Sequence, residues 1–189
     1  MRLPLVPEAF ANFYLALAGA GAALIGLLFV AVSINPERIV RQRARPMLQA
    51  IAGSAFIALI NMFFVSVYAL LPSINIGLPA VILGVAGIGS ALLIGGEIFR
   101  RLRQRGQSGR RSSQSPWWLE VSRELALLGV SVALYGFEIA QGIGALNTPS
   151  DANHIFALGN ILVCIGALGL LRAWQLLGAW GGPWLNDEK

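Results

Sequence analysis

Charge is scarce in this chain of 189 residues: Asp, Glu, Lys and Arg make up 12%, whereas hydrophobic residues make up 56%. A soluble domain carries roughly 25% charged residues. The mean hydropathy is +0.69. Because so few side chains favour water, we expect most of the chain to lie in a membrane.

The residues that most often carry chemistry are also scarce, since Cys164, His154 and Lys189 are each the only residue of their type. A single cysteine excludes an internal disulfide, and a single histidine excludes a haem with two histidine ligands from one chain. Ser90 with His154 invites comparison with intramembrane serine proteases, but the histidine falls at a span edge and the serine near mid-span. We therefore predict no catalytic residues, no metal, no cofactor and no enzymatic activity.

What the chain does contain is long apolar segments. A helix needs roughly 20 apolar residues to cross the hydrocarbon layer. Five stretches qualify, at about residues 10–34, 48–71, 79–99, 124–146 and 154–177. The sequence therefore predicts an all-α integral membrane bundle of five transmembrane helices, forming a single domain over residues 1–189.

Arginine positions indicate the topology of this bundle, because loops that stay in the cytoplasm are enriched in positive charge. The rule places the connection after the first span and the basic loop at residues 100–118 in the cytoplasm, with the N-terminus outside and the C-terminus inside. We expect arginines of these loops to contact anionic lipid headgroups rather than nucleic acid. They are Arg38, Arg41, Arg43, Arg45, Arg100, Arg101, Arg103, Arg105, Arg110 and Arg111. Glu97 is expected to form an ion pair at the helix end.

Small residues recur along one face of several spans, and such faces bring membrane helices close together. The face of the first span comprises Asn12, Ala16, Gly19, Ala23, Gly26, Val30 and Ser33. The third span carries Gly84, Gly87, Gly89, Gly95 and Gly96, and the fourth carries Gly136, Ala140 and Gly144 at steps of four. We expect close helix contacts along these faces, either within one chain or between copies in a homo-oligomer.

Polar residues inside the spans are the candidate site. Glu138 is the one acid deep in a span, and an intramembrane carboxylate marks a functional site by default. Counting from the outer helix ends places small or polar residues of every span at one midplane level. The proposed ion or solute layer comprises Glu138, Asn61, Tyr135, Gln141, Asn160 and Ser90.

Two functions remain open from these residues. The layer could bind or conduct a cation or proton, as the midplane sites of channels and transporters do. Alternatively, Glu138 is only a hydrogen-bonding link between helices, and the protein is a non-catalytic scaffold or regulator of another membrane protein.

Residues 10–39 read FANFYLALAGAGAALIGLLFVAVSINPERI. This combination of a small-residue run, GLLFVAVSIN and a charged Pro-Glu-Arg turn resembles the opening of a group of small five-span bacterial membrane proteins. Some of these are labelled modulators of the membrane protease FtsH. The resemblance implies a multi-pass protein of the bacterial cytoplasmic (inner) membrane and carries over no catalytic residue.

Overall fold

A computed structural model describes residues 6, 8–34, 46–72, 74–108, 117–149 and 151–176. Within these ranges the chain forms five helices and no strand: α1 (Glu8–Ile34), α2 (Pro46–Leu70), α3 (Gly77–Ser108), α4 (Trp117–Asn147) and α5 (Ala152–Leu176). All five are long and apolar enough to cross a membrane. For the described residues, this confirms the predicted all-α fold with five helices that are long and apolar enough to cross a membrane.

Helix ends differ most from prediction in the basic segment at residues 100–118. α3 continues to Ser108 and α4 begins at Trp117, so residues 100–108 and 117–118 are helical rather than loop. An apolar run marks only the part of a helix that avoids water. Arginine, leucine and glutamine favour helix, so the helix extends beyond the apolar run.

The helices pack as a four-membered ring with one helix outside it. α2 contacts α3, α3 contacts α4, α4 contacts α5, and α5 contacts α2 to close the ring. α1 lies against α2 and α5. Consequently α4 and α5 are antiparallel neighbours, joined by a short connection around Asp151.

Two side chains of the short connections hold this end of the bundle together. Asn75 accepts a hydrogen bond from the Gly77 N–H (2.8 Å) and donates one to the carbonyl of Ala145 at the end of α4 (2.9 Å). Asp151 accepts a hydrogen bond from the Asn153 N–H (2.9 Å) and thereby caps α5. Both residues satisfy backbone groups that a helix start leaves without partners.

The side of α1 that packs is not the small-residue face. Tyr14 is fully buried, and its hydroxyl donates to the carbonyl of Ile155 on α5 (2.7 Å). Gly21 lies against the backbone of Phe63 on α2. The predicted face from Asn12 to Ser33 is largely exposed, and a methyl group at Gly19 or Gly26 would meet nothing within 4 Å. That face therefore has no close neighbour within the described chain, because the Tyr14 side holds α1 to the bundle.

Close glycine packing does join α3 to α4. A methyl group at Gly84 would lie 2.7 Å from Cγ1 of Ile139, and one at Gly87 would overlap the ring of Tyr135. The expectation of a close approach is confirmed for these two positions of α3. At the other predicted positions the outcome is mixed: a methyl group at Gly144 on α4 would collide with the ring of His154 on α5, whereas one at Gly89, Gly96 or Gly136 would meet nothing within 4 Å.

Candidate functional site

One buried face of α4 carries polar side chains along most of its length. Glu124, Ser131, Tyr135 and Glu138 are buried and Gln141 is half-buried, at steps of seven, four, three and three residues. From residue 124 to residue 141 is 17 residues, or roughly 25 Å of helix rise. We call these five residues the α4 polar column.

The centre of the column is a buried contact between Asn61 on α2 and Glu138. Both residues are 0% exposed, and the Asn61 Nδ2 donates a hydrogen bond to the Glu138 Oε2 over 2.8 Å. Asn61 lies nine residues before Leu70 and Glu138 nine before Asn147, so both are roughly 14 Å from their helix ends. The equal depth expected from the sequence therefore brings these two side chains into contact.

Two oxygen atoms of this pair have no hydrogen-bond partner. Oδ1 of Asn61 and Oε1 of Glu138 are both buried and unpaired. Gly84 lies alongside, since a methyl group there would lie 3.4 Å from Oε2 of Glu138. Leaving buried polar atoms unpaired costs about 1–3 kcal/mol each, so such atoms call for an explanation.

A second polar group lies where α4 meets α5. The Nδ1 of His154 is 2.7 Å from the Oε1 of Gln141, and its Nε2 is 3.8 Å from the Oδ2 of Asp151. Gly144 provides the space for the imidazole, because a methyl group there would collide with the ring. The sequence placed Gln141 in the midplane layer, but the structure joins it to His154 near the loop instead.

A third polar group occupies the opposite end of the column. Arg172 of α5 is buried, and its Nη1 donates to Oε2 of Glu124 (2.8 Å) and to Oε1 of Gln175 (3.1 Å). Arg123 lies 3.6 Å from the other oxygen of Glu124. Sequence reasoning missed this ion pair, although opposite charges at the same end of two antiparallel neighbouring helices are a signal for it.

Two hydroxyl residues of α4, Ser131 and Tyr135, lie between Glu138 and Glu124, and Ser90 is on the neighbouring α3. Tyr135 is buried, with its ring against Gly87 of α3. Ser131 donates to the carbonyl of Leu127, one turn back on its own helix (2.7 Å). Ser90, which the sequence placed in the layer, is buried on α3 and donates to the carbonyl of Gly87 (2.7 Å).

Asn160 does not join the group in which the sequence placed it. It is exposed, and its amide donates to the carbonyl of Phe156 on its own helix (3.1 Å). The reason is rotational: α5 buries Leu158, Ile161 and Leu162, and this turns Asn160 outward. The predicted flat layer is therefore a column along α4, with Asn61 as its central partner.

The arginines predicted to contact lipid are described only in part. Arg100 and Arg103 are both exposed. Arg100 forms an ion pair with Glu97 over 3.2 Å, which confirms the ion pair expected for Glu97. Of the other arginines named for this role, Arg101 and Arg105 lie in α3 but their side chains are outside the described part of the structure, and the rest lie outside the described residues. The rest are Arg38, Arg41, Arg43, Arg45, Arg110 and Arg111.

Across the described part of the chain, no group of three or more His, Cys, Asp or Glu side chains could hold a metal ion. Comparison with models of protein families, with curated proteins and with solved structures finds no match for this chain. The resemblance of residues 10–39 to proteins labelled FtsH modulators therefore stays a prediction.

Proposed function

We propose that this chain is a multi-pass protein of the bacterial inner membrane that binds a proton at the Asn61–Glu138 pair and passes it across the bilayer. The observation that carries this proposal is the pair of unpaired oxygens at the centre of the column. One proton on Oε1 of Glu138 would make the acid neutral. The same proton could be donated to Oδ1 of Asn61, so that both oxygens gain a partner.

Electrostatics supports a proton at this position. An ionised carboxylate in the middle of a membrane costs several kcal/mol unless charge or hydrogen bonds compensate it. Asn61 supplies a single donor to Glu138. A bound proton removes the charge, whereas its release creates a carboxylate that attracts the next proton.

A proton suits the site better than a metal cation. Calcium takes about six to eight oxygen ligands, and magnesium takes about six. The pair offers two unpaired oxygens, and neither residue has any exposed surface. A proton needs no cavity of its own, because it binds directly to a single oxygen atom.

Polar groups lie at both ends of the column, on either side of the Asn61–Glu138 pair. The His154 group lies on the side of the α4–α5 connection, and the Glu124–Arg172 pair lies on the side of the arginine-rich segments. Under the positive-inside rule the first side is external and the second cytoplasmic. Anionic lipid headgroups then neutralise the exposed arginines.

A second candidate function rests on the uncovered small-residue face of α1. Faces of this kind allow membrane helices to approach closely. The face could bring copies together as a homo-oligomer, or hold another membrane protein that the chain regulates. In that case the Asn61–Glu138 hydrogen bond only fastens α2 to α4, and no proton moves.

Proton flux into liposomes separates the two functions. Purified protein is reconstituted with a trapped pH-sensitive dye, and a potassium gradient with valinomycin drives proton uptake. We expect Glu138→Gln to lower the flux about a hundredfold, the scale on which a positioned proton-transfer group acts. The matched control is Glu97→Gln, which removes an acid outside the column and should leave the flux unchanged.

Folded wild-type protein with no more flux than protein-free liposomes would overturn the proton proposal and leave the scaffold function. Equal proton flux in the wild type and in Glu138→Gln would show that the Asn61–Glu138 pair is not the proton site. Helical content by circular dichroism shows whether each variant is folded.

A further inference from the structure

We propose that the outward face of α5 around Asn160 is the surface on which two copies of this chain pack together in the membrane, α5 against α5. This inference rests on the membrane location of the chain but not on the proton function. It starts from an exposed amide near the middle of an apolar helix. Asn160 lies eight residues after Ala152 in a helix of 25 residues, roughly 6 Å from the helix centre.

The amide of Asn160 is only partly satisfied within one chain. Its Nδ2 donates to the carbonyl of Phe156, one turn back on the same helix (3.1 Å). Among the described residues this is its only hydrogen bond, so Oδ1 and the second N–H have no partner. Hydrocarbon offers neither a donor nor an acceptor, and facing lipid therefore costs this side chain free energy. The amide of another chain would supply both.

Polar side chains deep in the other helices face inward. Asn61 and Glu138 are buried and bonded to each other, and Ser90 is buried and donates to the carbonyl of Gly87. Polar residues within membrane spans almost always face the interior of a bundle. Asn160 departs from this rule in a single chain, and a second copy placed over it would return it to an interior.

The exposed residues around Asn160 have the spacing of a helix–helix contact. They recur at alternating steps of four and three, which keeps one stripe of a helix facing its neighbour. Such stripes pack two membrane helices at crossing angles of about 20°. We call this stripe the α5 seam. It comprises Phe156, Asn160, Val163, Ala167, Leu170 and Trp174.

The occupant that fits the seam best is a second copy of the chain. Copies in one membrane share one insertion direction, so a two-fold axis along the membrane normal brings each residue of α5 level with its own counterpart. An amide is both donor and acceptor, and two Asn160 side chains therefore complement each other. In parallel coiled coils a single Asn on the seam fixes the register and the number of helices. A protein of another sequence would need its own polar group at this depth.

The uncovered face of α1 does not carry the same argument. Its polar residues lie at the helix ends, Asn12 four residues after Glu8 and Ser33 one before Ile34. Water and lipid headgroups reach such positions. Ser33 also has a partner within its helix, since its hydroxyl donates to the carbonyl of Phe29 (2.8 Å). The unsatisfied amide near mid-helix therefore places the interface on α5.

Disulfide cross-linking in liposomes locates the interface. Helix axes about 8–10 Å apart, with Cα atoms about 2.3 Å from each axis, leave roughly 4–6 Å between facing Cα atoms, within the range of a disulfide. Cys164 is the only cysteine and is exposed, so all variants carry Cys164→Ala. We expect Ala167→Cys on the seam to form a covalent dimer on oxidation with copper phenanthroline.

The matched control is Ala133→Cys on the exposed side of α4. Ala133 lies 14 residues before Asn147 and Ala167 lies 15 residues after Ala152, so the two positions have nearly the same depth. Both begin as exposed alanines. We expect much less covalent dimer from Ala133→Cys, because α4 is not on the seam.

Energy transfer between labelled copies measures the strength of association. Fluorophores are attached through Thr148→Cys, at an exposed position beyond the end of α4, and the lipid-to-protein ratio is raised stepwise. We expect Asn160→Leu to weaken association about tenfold, the scale of an interhelical amide hydrogen bond in membrane peptides. Asn160→Gln keeps an amide and should weaken it less. Asn12→Leu is the control, since it removes an exposed amide from α1 and should change nothing.

Several results would overturn the proposal. They are equal cross-linking of Ala133→Cys and Ala167→Cys, wild-type protein that stays monomeric at every lipid ratio, and association that Asn160→Leu leaves unchanged. Loss of association in Asn12→Leu alone would place the interface on α1 instead. In dilute micelles, where copies separate, Asn160→Leu should unfold like the wild type, which shows that its fold is intact. Neither readout involves proton flux, so a failure here is separate from a failure of the proton function.

Discussion

The buried ion pair between Glu124 and Arg172 yields an asymmetric prediction for stability. Removing one partner of a buried pair costs about 3–5 kcal/mol, because the other charge is left uncompensated. In Arg172→Met, the Glu124 carboxylate keeps Gln175 at 3.3 Å and Arg123 at 3.6 Å. We therefore expect a cost at the lower end, about 3 kcal/mol.

The opposite variant should cost more. In Glu124→Leu, Arg172 keeps only the Gln175 oxygen at 3.1 Å, and its Nη2 has no partner even in the wild type. We expect about 5 kcal/mol of lost stability, the upper end of the range. The double variant buries neither charge and should return to within about 1 kcal/mol of the wild type, because apolar replacements of buried pairs are often neutral.

Reversible unfolding in mixed dodecylmaltoside and SDS micelles, followed by tryptophan fluorescence, measures all four proteins. Two results would refute the reasoning. One is a double variant as unstable as the worse single variant. The other is Arg172→Met costing more than Glu124→Leu, which would mean that the neighbours of Glu124 do not compensate its charge.

Two further predictions use matched positions in the same unfolding assay. Gly87→Ala should destabilise the protein by about 1–3 kcal/mol, because its methyl group meets the ring of Tyr135. In Gly89→Ala the methyl group meets nothing, so the change should be neutral or stabilise the protein by up to about 1 kcal/mol. Equal effects of the two substitutions would contradict the α3–α4 packing. Asn61→Leu removes the buried hydrogen bond to Glu138 and should cost about 0.6–2 kcal/mol, whereas Asn160→Leu on the exposed side of α5 should cost almost nothing. A larger loss for Asn160→Leu would argue against the orientation of α5.

Features that depend on a single helix could be predicted from the sequence. Apolar run lengths located the five helices to within a few residues, except that α3 extends to Ser108 and α4 already begins at Trp117. Helical spacing placed Tyr135 and Glu138 on one face of α4. Counting depth from the helix ends put Asn61 level with Glu138, and these two side chains do meet.

Features that depend on how a helix is rotated against its neighbours could not be predicted. Spacing groups residues on a face but does not say which face turns inward. The small-residue face of α1 turned outward because Tyr14 and Gly21 hold the other side to α2 and α5. Asn160 turned outward because the larger apolar residues of α5 occupy the bundle interior.

The sequence by itself determined the five apolar helices, their approximate lengths and the position of one acid in mid-span. These follow from hydrophobicity and helical periodicity, which are properties of local stretches of chain. Only the tertiary structure decided which side chains the other residues of the α4 polar column contact: Gln141 pairs with His154, and Glu124 pairs with Arg172. A hydrogen bond between helices requires the right rotation and the right axial shift together, and packing of the whole bundle sets both.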